Sequence, residues 1–267
     1  MKKISLLILA LLLALQSNLV AEDKAAEEKK LSYNIGLDLG STYYWRGYDI
    51  YAHKLDAAET PSSVFNFAPG LYPTITVNTT SGFSFNIWGA RSLVARTPTE
   101  GQLNAYDEVD LTATYAVKDK SGTFSSSLIG YMFPSANKST PPLAGYGELV
   151  FTYIAPIILN PFVTFAASMG PAGGEYEYAA IGISHELAAG ILKVTPKLLF
   201  GYWYLNNDSA NNKAHIDLNV PFAFVVNETF EFHVLLSGCY RLLGFTDSTN
   251  KYSPFILTAG VGASVSF

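Results

Sequence analysis

Residues Ser253 to Phe267 read Ser-Pro-Phe-Ile-Leu-Thr-Ala-Gly-Val-Gly-Ala-Ser-Val-Ser-Phe, with Phe255, Leu257, Ala259, Val261, Ala263, Val265 and Phe267 at every second position and Thr, Gly or Ser between most of them. Alternation this strict describes a β-strand with one apolar and one polar face. The stretch ends on an aromatic residue and the chain opens on a leader-like segment, so the apolar face is expected to meet lipid. The fold class expected is all-β: a transmembrane antiparallel β-barrel, with Phe267 as its assembly signal.

Working outward, residues 1–21 carry Lys2 and Lys3, an apolar run from Ile4 to Leu15, and a polar stretch ending at Leu19-Val20-Ala21. That is the pattern of a signal peptide cleaved near Ala21, too short to span a membrane as a helix. Residues 22–30 set four acids against three bases without a large apolar side chain, as a solvated periplasmic tail would. The barrel then occupies 31–267. Hydrophobic residues make up 49% and charged residues only 15%, yet no apolar run after the leader reaches the length of a spanning helix. A chain that crosses lipid without apolar helices must close a barrel to pair its backbone groups. A soluble β-sandwich or barrel also alternates, but its interior face would be the apolar one.

From Leu31 onward about twelve strand-like runs alternate short turns with longer polar connections. The first is Leu31 to Trp45. Hairpins follow around Asn78 to Gly82, Lys118 to Gly122, Ala155 to Pro161, Ala188 to Ile191 and Val225 to Thr229, and the last strand closes the set. In the fourth hairpin, the expected register sets His185 opposite Val194 and Glu186 opposite Lys193. In the fifth it sets His215 opposite Ser237 or Cys239. An even strand count leaves both ends of the barrel chain in the periplasm.

Parity assigns Asp38, Arg46, Glu108, Asp110, Glu148, Glu186, Lys193, Lys197, His215, Asp217, Glu231, His233 and Arg241 to the polar, inward face. An interior so charged must be wet or closely paired. Twelve strands fall between the eight whose side chains fill a barrel and the sixteen that leave a channel. Gly260 and Gly262 on the last strand, beside Gly36 and Gly40 on the first, would leave space for a path. Arg46 and Arg241, near the extracellular rim, would either form an anion-attracting mouth or anchor loop carboxylates such as Asp49 or Asp56, with the structural role ahead.

The segment Ser41-Thr42-Tyr43-Tyr44-Trp45-Arg46-Gly47 resembles the end of the first strand in outer-membrane porins of the TorF-like family, where S-x-Y-x-x-R-G closes that strand. The resemblance implies a porin role.

Other functions are disfavoured. The net charge of −5, lowered by two more when the leader's lysines are lost, leaves no basic stripe for nucleic acid. His185-Glu186-Leu187-Ala188-Ala189 begins like a zinc-protease helix but has Ala where the second His must fall. His215 and His233 lie too far apart along neighbouring strands to share a metal. No Ser-His pair faces the bilayer as a lipid hydrolase would need, and lone Cys239 in a strand reads as a packing residue. The expected protein is therefore a monomeric or weakly oligomeric bacterial outer-membrane channel for small solutes or ions, not an enzyme and without cofactor or metal. Its partners are outer-membrane lipid and lipopolysaccharide, the barrel-assembly machinery and the solute. A non-conducting barrel with binding loops comes second and an outer-membrane lipid hydrolase third.

Overall fold

A computed structural model describes residues 31–46, 48–49, 67–93, 107–133, 145–169, 176–205, 212–243 and 254–267. The leader and the charged tail lie outside these residues, as does most of each long connection.

Fourteen strand segments join edge to edge in one antiparallel sheet: β1 (Leu31–Gly40), β4 (Gly70–Thr79), β5 (Phe83–Ser92), β6 (Asp107–Asp119), β7 (Gly122–Met132), β8 (Tyr146–Ile154), β9 (Phe162–Met169), β10 (Tyr176–Ser184), β11 (Leu187–Ala189), β12 (Leu192–Val194), β13 (Lys197–Leu205), β14 (Lys213–Val225), β15 (Phe230–Leu243) and β16 (Phe255–Ser266). A small separate ladder pairs β2 (Tyr44–Trp45) with β3 (Tyr48–Asp49). β10 runs on into β11 and β12 into β13 without change of register, so the fourteen segments make twelve staves. The sheet closes because β16 pairs with both β15 and β1, and β15 also pairs with β14.

The faces follow the alternation. Leu31, Tyr33, Ile35, Leu37 and Leu39 all point outward and are exposed, Leu37 by 53%. Their cross-strand partners Ile75, Val77, Ala263 and Val265 continue the same apolar surface. An exposed hydrocarbon belt of this extent is what a bilayer covers; in water it would drive aggregation. The inward face from β4 to β9 is hydroxyl-rich. Asn86 donates to Thr74 Oγ1 (2.9 Å) and Thr76 Oγ1 (2.8 Å), Thr114 meets Ser127 (2.8 Å) and Thr152 meets Thr164 (3.0 Å). Pairing across strands satisfies these groups with few charges.

Three expectations about register and length change. The first strand ends at Gly40 rather than Trp45, because residues 41–46 leave the wall for the lumen. The β11–β12 hairpin is tighter than expected: Leu187 pairs with Val194 and Ala188 with Lys193, which removes Glu186 from Lys193. Gly190, at φ +61°, takes a conformation that L side chains avoid and lets two residues close this turn. Finally, His215 stands opposite Arg241 and Asp217 opposite Cys239, with an irregularity between Ala214 and His215. The turn closes with Val225 opposite Glu231, and that unbroken register carries through to His215, whose partner lies two residues further along β15 than Cys239; the irregularity beyond it moves only Ala214, to Leu243. The ladder also breaks at His185–Glu186 and Thr195–Pro196, where Pro196 has no N–H to donate.

The C-terminus completes closure. Phe267 N–H donates to Tyr33 O (2.9 Å) and Tyr33 N–H donates to Phe267 O (3.1 Å), while the Phe267 side chain stays outside, 69% exposed. Deleting Phe267 removes both bonds from the closing seam and an apolar anchor from the rim. The folded, membrane-inserted fraction should fall at least several-fold, read as heat-modifiable mobility of the membrane pool. Insertion equal to wild type would show that the terminal aromatic has no part in assembly.

Candidate functional site

Beyond Gly40 the chain turns inward at Ser41, whose N–H donates to Ala259 O (2.7 Å) and whose Oγ accepts from Ala259 N–H (3.0 Å). These bonds tie the bend to β16. Residues 41–46 then cross the lumen near the long-connection rim. Tyr43 packs against both Tyr72 (ring centroids 6.1 Å) and Trp88 (5.3 Å), which stack on each other at 5.8 Å, and Ala68 and Ala90 complete that cluster. Trp45 meets Trp203 edge to face at 5.1 Å and Tyr131 at 6.1 Å. Aromatic edge and face contacts of this kind add to simple area burial.

Arg46 is the far anchor. Its Nη1 and Nη2 donate to Glu148 Oε1 (2.5 Å) and Oε2 (3.0 Å), and the fully buried Glu148 also accepts from Tyr131 (2.9 Å) and Tyr176 (3.1 Å). The guanidinium lies 4.5 Å from the Tyr178 ring centroid and 5.0 Å from that of Trp45, and Trp203 Nε1 donates to Arg46 O at 3.0 Å. Bidentate geometry, a saturated carboxylate and aromatic faces together offset the desolvation of this buried pair. The residue is held at φ +45°, a left-handed conformation that is unfavourable for a non-glycine residue.

Between the two anchors, the Tyr44 hydroxyl donates to Asp217 Oδ1 at 2.5 Å, and Asp217 is paired with His215 Nδ1 at 2.8 Å. Burial first, then the Asp217 carboxylate, pushes the Tyr44 phenol far above its ordinary range, which keeps it a neutral donor. On the β1 side Asp38 and His233 form a close pair, with Glu231 at 3.9 Å from the same ring.

The residues assigned inward by parity fall into three groups. Arg46, Glu148 and Asp217 belong to the crossing segment and its anchors, and Glu108 hydrogen-bonds Tyr43 with Asp110 close by. Arg46 thus stands on the segment rather than on the wall, and its partner is Glu148 of the far wall. Lys193 lies on the lumen side at the short-turn rim, exposed, while Lys197 Nζ sits 4.5 Å from the Phe162 ring centroid. Glu231 and Arg241 share the inward face of β15, Arg241 opposite His215. Gly260 lines a cavity of about 290 Å³ between the segment and the β1–β16–β15 wall, together with Asp38, Thr42, Asn219, Ser237 and Thr258. Gly262 is covered: a side chain there would run into Asp38 and His233.

Tyr43, Tyr44 and Trp45 were not singled out from sequence as site residues, nor were Tyr131, Tyr176, Tyr178 and Trp203 around them. One signal was available, since three consecutive bulky aromatics break the period of two and cannot all sit on one strand face.

Among known proteins, no family model and no curated relative matches the sequence. Solved structures with similar course include the KdgM porin in complex with disordered oligogalacturonate, at 10% identity and a TM-score of 0.49, covering 88% of this chain and 99% of that one. An outer-membrane channel from Pseudomonas putida F1 aligns at 7% identity and 0.48, covering 92% and 100%. The outer-membrane protease OmpT from Escherichia coli aligns at 9% identity and 0.32, covering 92% and 97%.

Proposed function

We propose that this protein is an outer-membrane channel for small solutes, exported by a leader cleaved near Ala21 and narrowed at its long-connection end by residues 41–46. The observation that carries the reading is the cavity of about 290 Å³ left beside that segment. Asp38, Thr42, Asn219, Ser237 and Thr258 put hydroxyl, amide and carboxylate groups into a lining that Tyr43, Tyr72, Trp88 and Leu235 make largely apolar. A barrel built only to hold loops has no need of unfilled space beside its crossing segment, and a narrow path for small solutes does. The crossing segment would limit passage to solutes far smaller than those of wide porins.

Planar-bilayer recording of the purified protein tests this. A small, ohmic conductance is expected, and Gly260→Trp should reduce it at least by half, because the indole would fill the cavity while its nearest neighbours are the backbone atoms Leu39 O and Gly40 Cα. Changing Lys193 and Lys197 together to Glu should shift selectivity toward cations. Failure of both the wild type and a variant freed of its Arg46 anchor to conduct would retire the channel reading in favour of a loop-binding barrel.

A further inference from the structure

Asp217 on β14 faces Cys239 on β15, and His215 lies two residues along β14 on the same inward face. One donor atom from each lies within 4.8 Å of the other two, and all three residues are buried. Imidazole, carboxylate and thiol form a mixed nitrogen, oxygen and sulfur set, the kind that suits a borderline-soft divalent ion. Tetrahedral zinc with bonds near 2.0–2.3 Å holds its donors about 3.3–3.8 Å apart, so only a small contraction is required.

The surroundings add an outer partner. His215 Nε2 lies 3.4 Å from the Tyr178 hydroxyl, and Gly201 keeps that space clear, since a Cβ there would press on both groups. When an ion takes Nδ1, the imidazole proton passes to Nε2, where the Tyr178 oxygen accepts it. Histidines bound to metals generally have such a second hydrogen bond.

One group already stands among these donors. The Tyr44 hydroxyl donates to Asp217 at 2.5 Å and also hydrogen-bonds with Cys239. We propose that His215, Asp217 and Cys239 form a binding site for a thiophilic divalent metal ion of the zinc class, and that the ion and the Tyr44 hydroxyl compete for it. On binding, the Cys239 S–H bond breaks, its proton goes to solvent, and the thiolate bonds the metal. Asp217 exchanges the Tyr44 hydrogen bond for a metal–oxygen bond, and His215 only moves its proton between ring nitrogens. One proton leaves per ion bound. The crossing segment then loses its middle anchor, whether or not the barrel conducts.

The test titrates the folded full chain in detergent with Cd²⁺, reading the thiolate-to-metal absorption in the ultraviolet, with Zn²⁺ as competitor. One Cd²⁺ per chain is expected. Cys239→Ser should remove the band and weaken binding at least about tenfold, and His215→Ala should weaken it to a similar degree. Tyr44→Phe, which removes the competitor and keeps the ring, should tighten binding about tenfold. Heat-modifiable mobility confirms folding of each variant; should His215→Ala fail to fold, the near-isosteric Cys239→Ser carries the comparison. The proposal is overturned if wild type and Tyr44→Phe bind no Cd²⁺ below millimolar concentration, if Cys239→Ser binds as well as wild type, or if Tyr44→Phe binds no tighter.

Discussion

Arg46→Ala is expected to destabilise the folded barrel by about 3–5 kcal/mol and to raise its conductance several-fold. The stability loss comes less from the missing attraction than from what is left behind. Glu148 is fully buried, and Arg46 is the only cation among its described hydrogen-bond partners, beside Tyr131 and Tyr176. Without the guanidinium, the carboxylate must stay charged in a poorly solvated place or take up a proton, and either is costly. Conductance rises for a separate reason: the segment from Ser41 to Arg46 loses its ion pair with the far wall, and the packing of Trp45 and the Trp203 hydrogen bond to the carbonyl of residue 46 hold it across the lumen less firmly. Pairing Arg46→Ala with Glu148→Gln separates the effects, because a neutral amide restores much of the stability but none of the anchor. The midpoint of thermal loss of compact gel mobility measures the first effect and single-channel recording the second. A midpoint and conductance both equal to wild type would show that the Arg46–Glu148 pair does not hold the segment in place.

Ile35→Arg is the second large effect, expected to cost about 2–4 kcal/mol in folded stability within a bilayer. Ile35 is at the middle of β1, points outward and is 48% exposed, with Val265 and Ile75 beside it on the same face. A charge there must enter hydrocarbon or pull water and headgroups toward it. The adjacent inward position provides the control, since Asn34→Arg places the same charge in the lumen and should cost far less. Urea titration of protein refolded into lipid vesicles gives both values. In a barrel that faces water the order would reverse, because Arg for an exposed Ile would be harmless.

The strand pattern was legible because side-chain direction along a strand alternates from residue to residue, a property each short stretch states by itself. Leu31 to Leu39 and Phe255 to Phe267 therefore show their outer faces without reference to any partner, and most strand ends matched turn residues such as Gly122 and Asn227. Asp119 illustrates why: its carboxylate accepts the N–H groups of Ser121 (2.7 Å) and Gly122 (3.2 Å), a contact between near neighbours. Parity also turned Asp38, Glu148, His215 and Asp217 inward, so half of the site's chemistry was visible as a face before it was visible as a place.

Which inward groups meet was decided elsewhere. Arg46 and Glu148 are 102 residues apart, and Tyr44 and Asp217 are 173 apart. Contacts that distant depend on the barrel closing with one particular stagger, and the turn that sets Val225 opposite Glu231 brings Asp217 opposite Cys239. The sequence by itself determined the staves, their two faces and the turns, because these follow from backbone geometry and local hydrogen bonding. Only the tertiary structure decided that residues 41–46 cross the lumen and that His215, Asp217 and Cys239 converge, because those arrangements exist only once all twelve staves enclose a common interior.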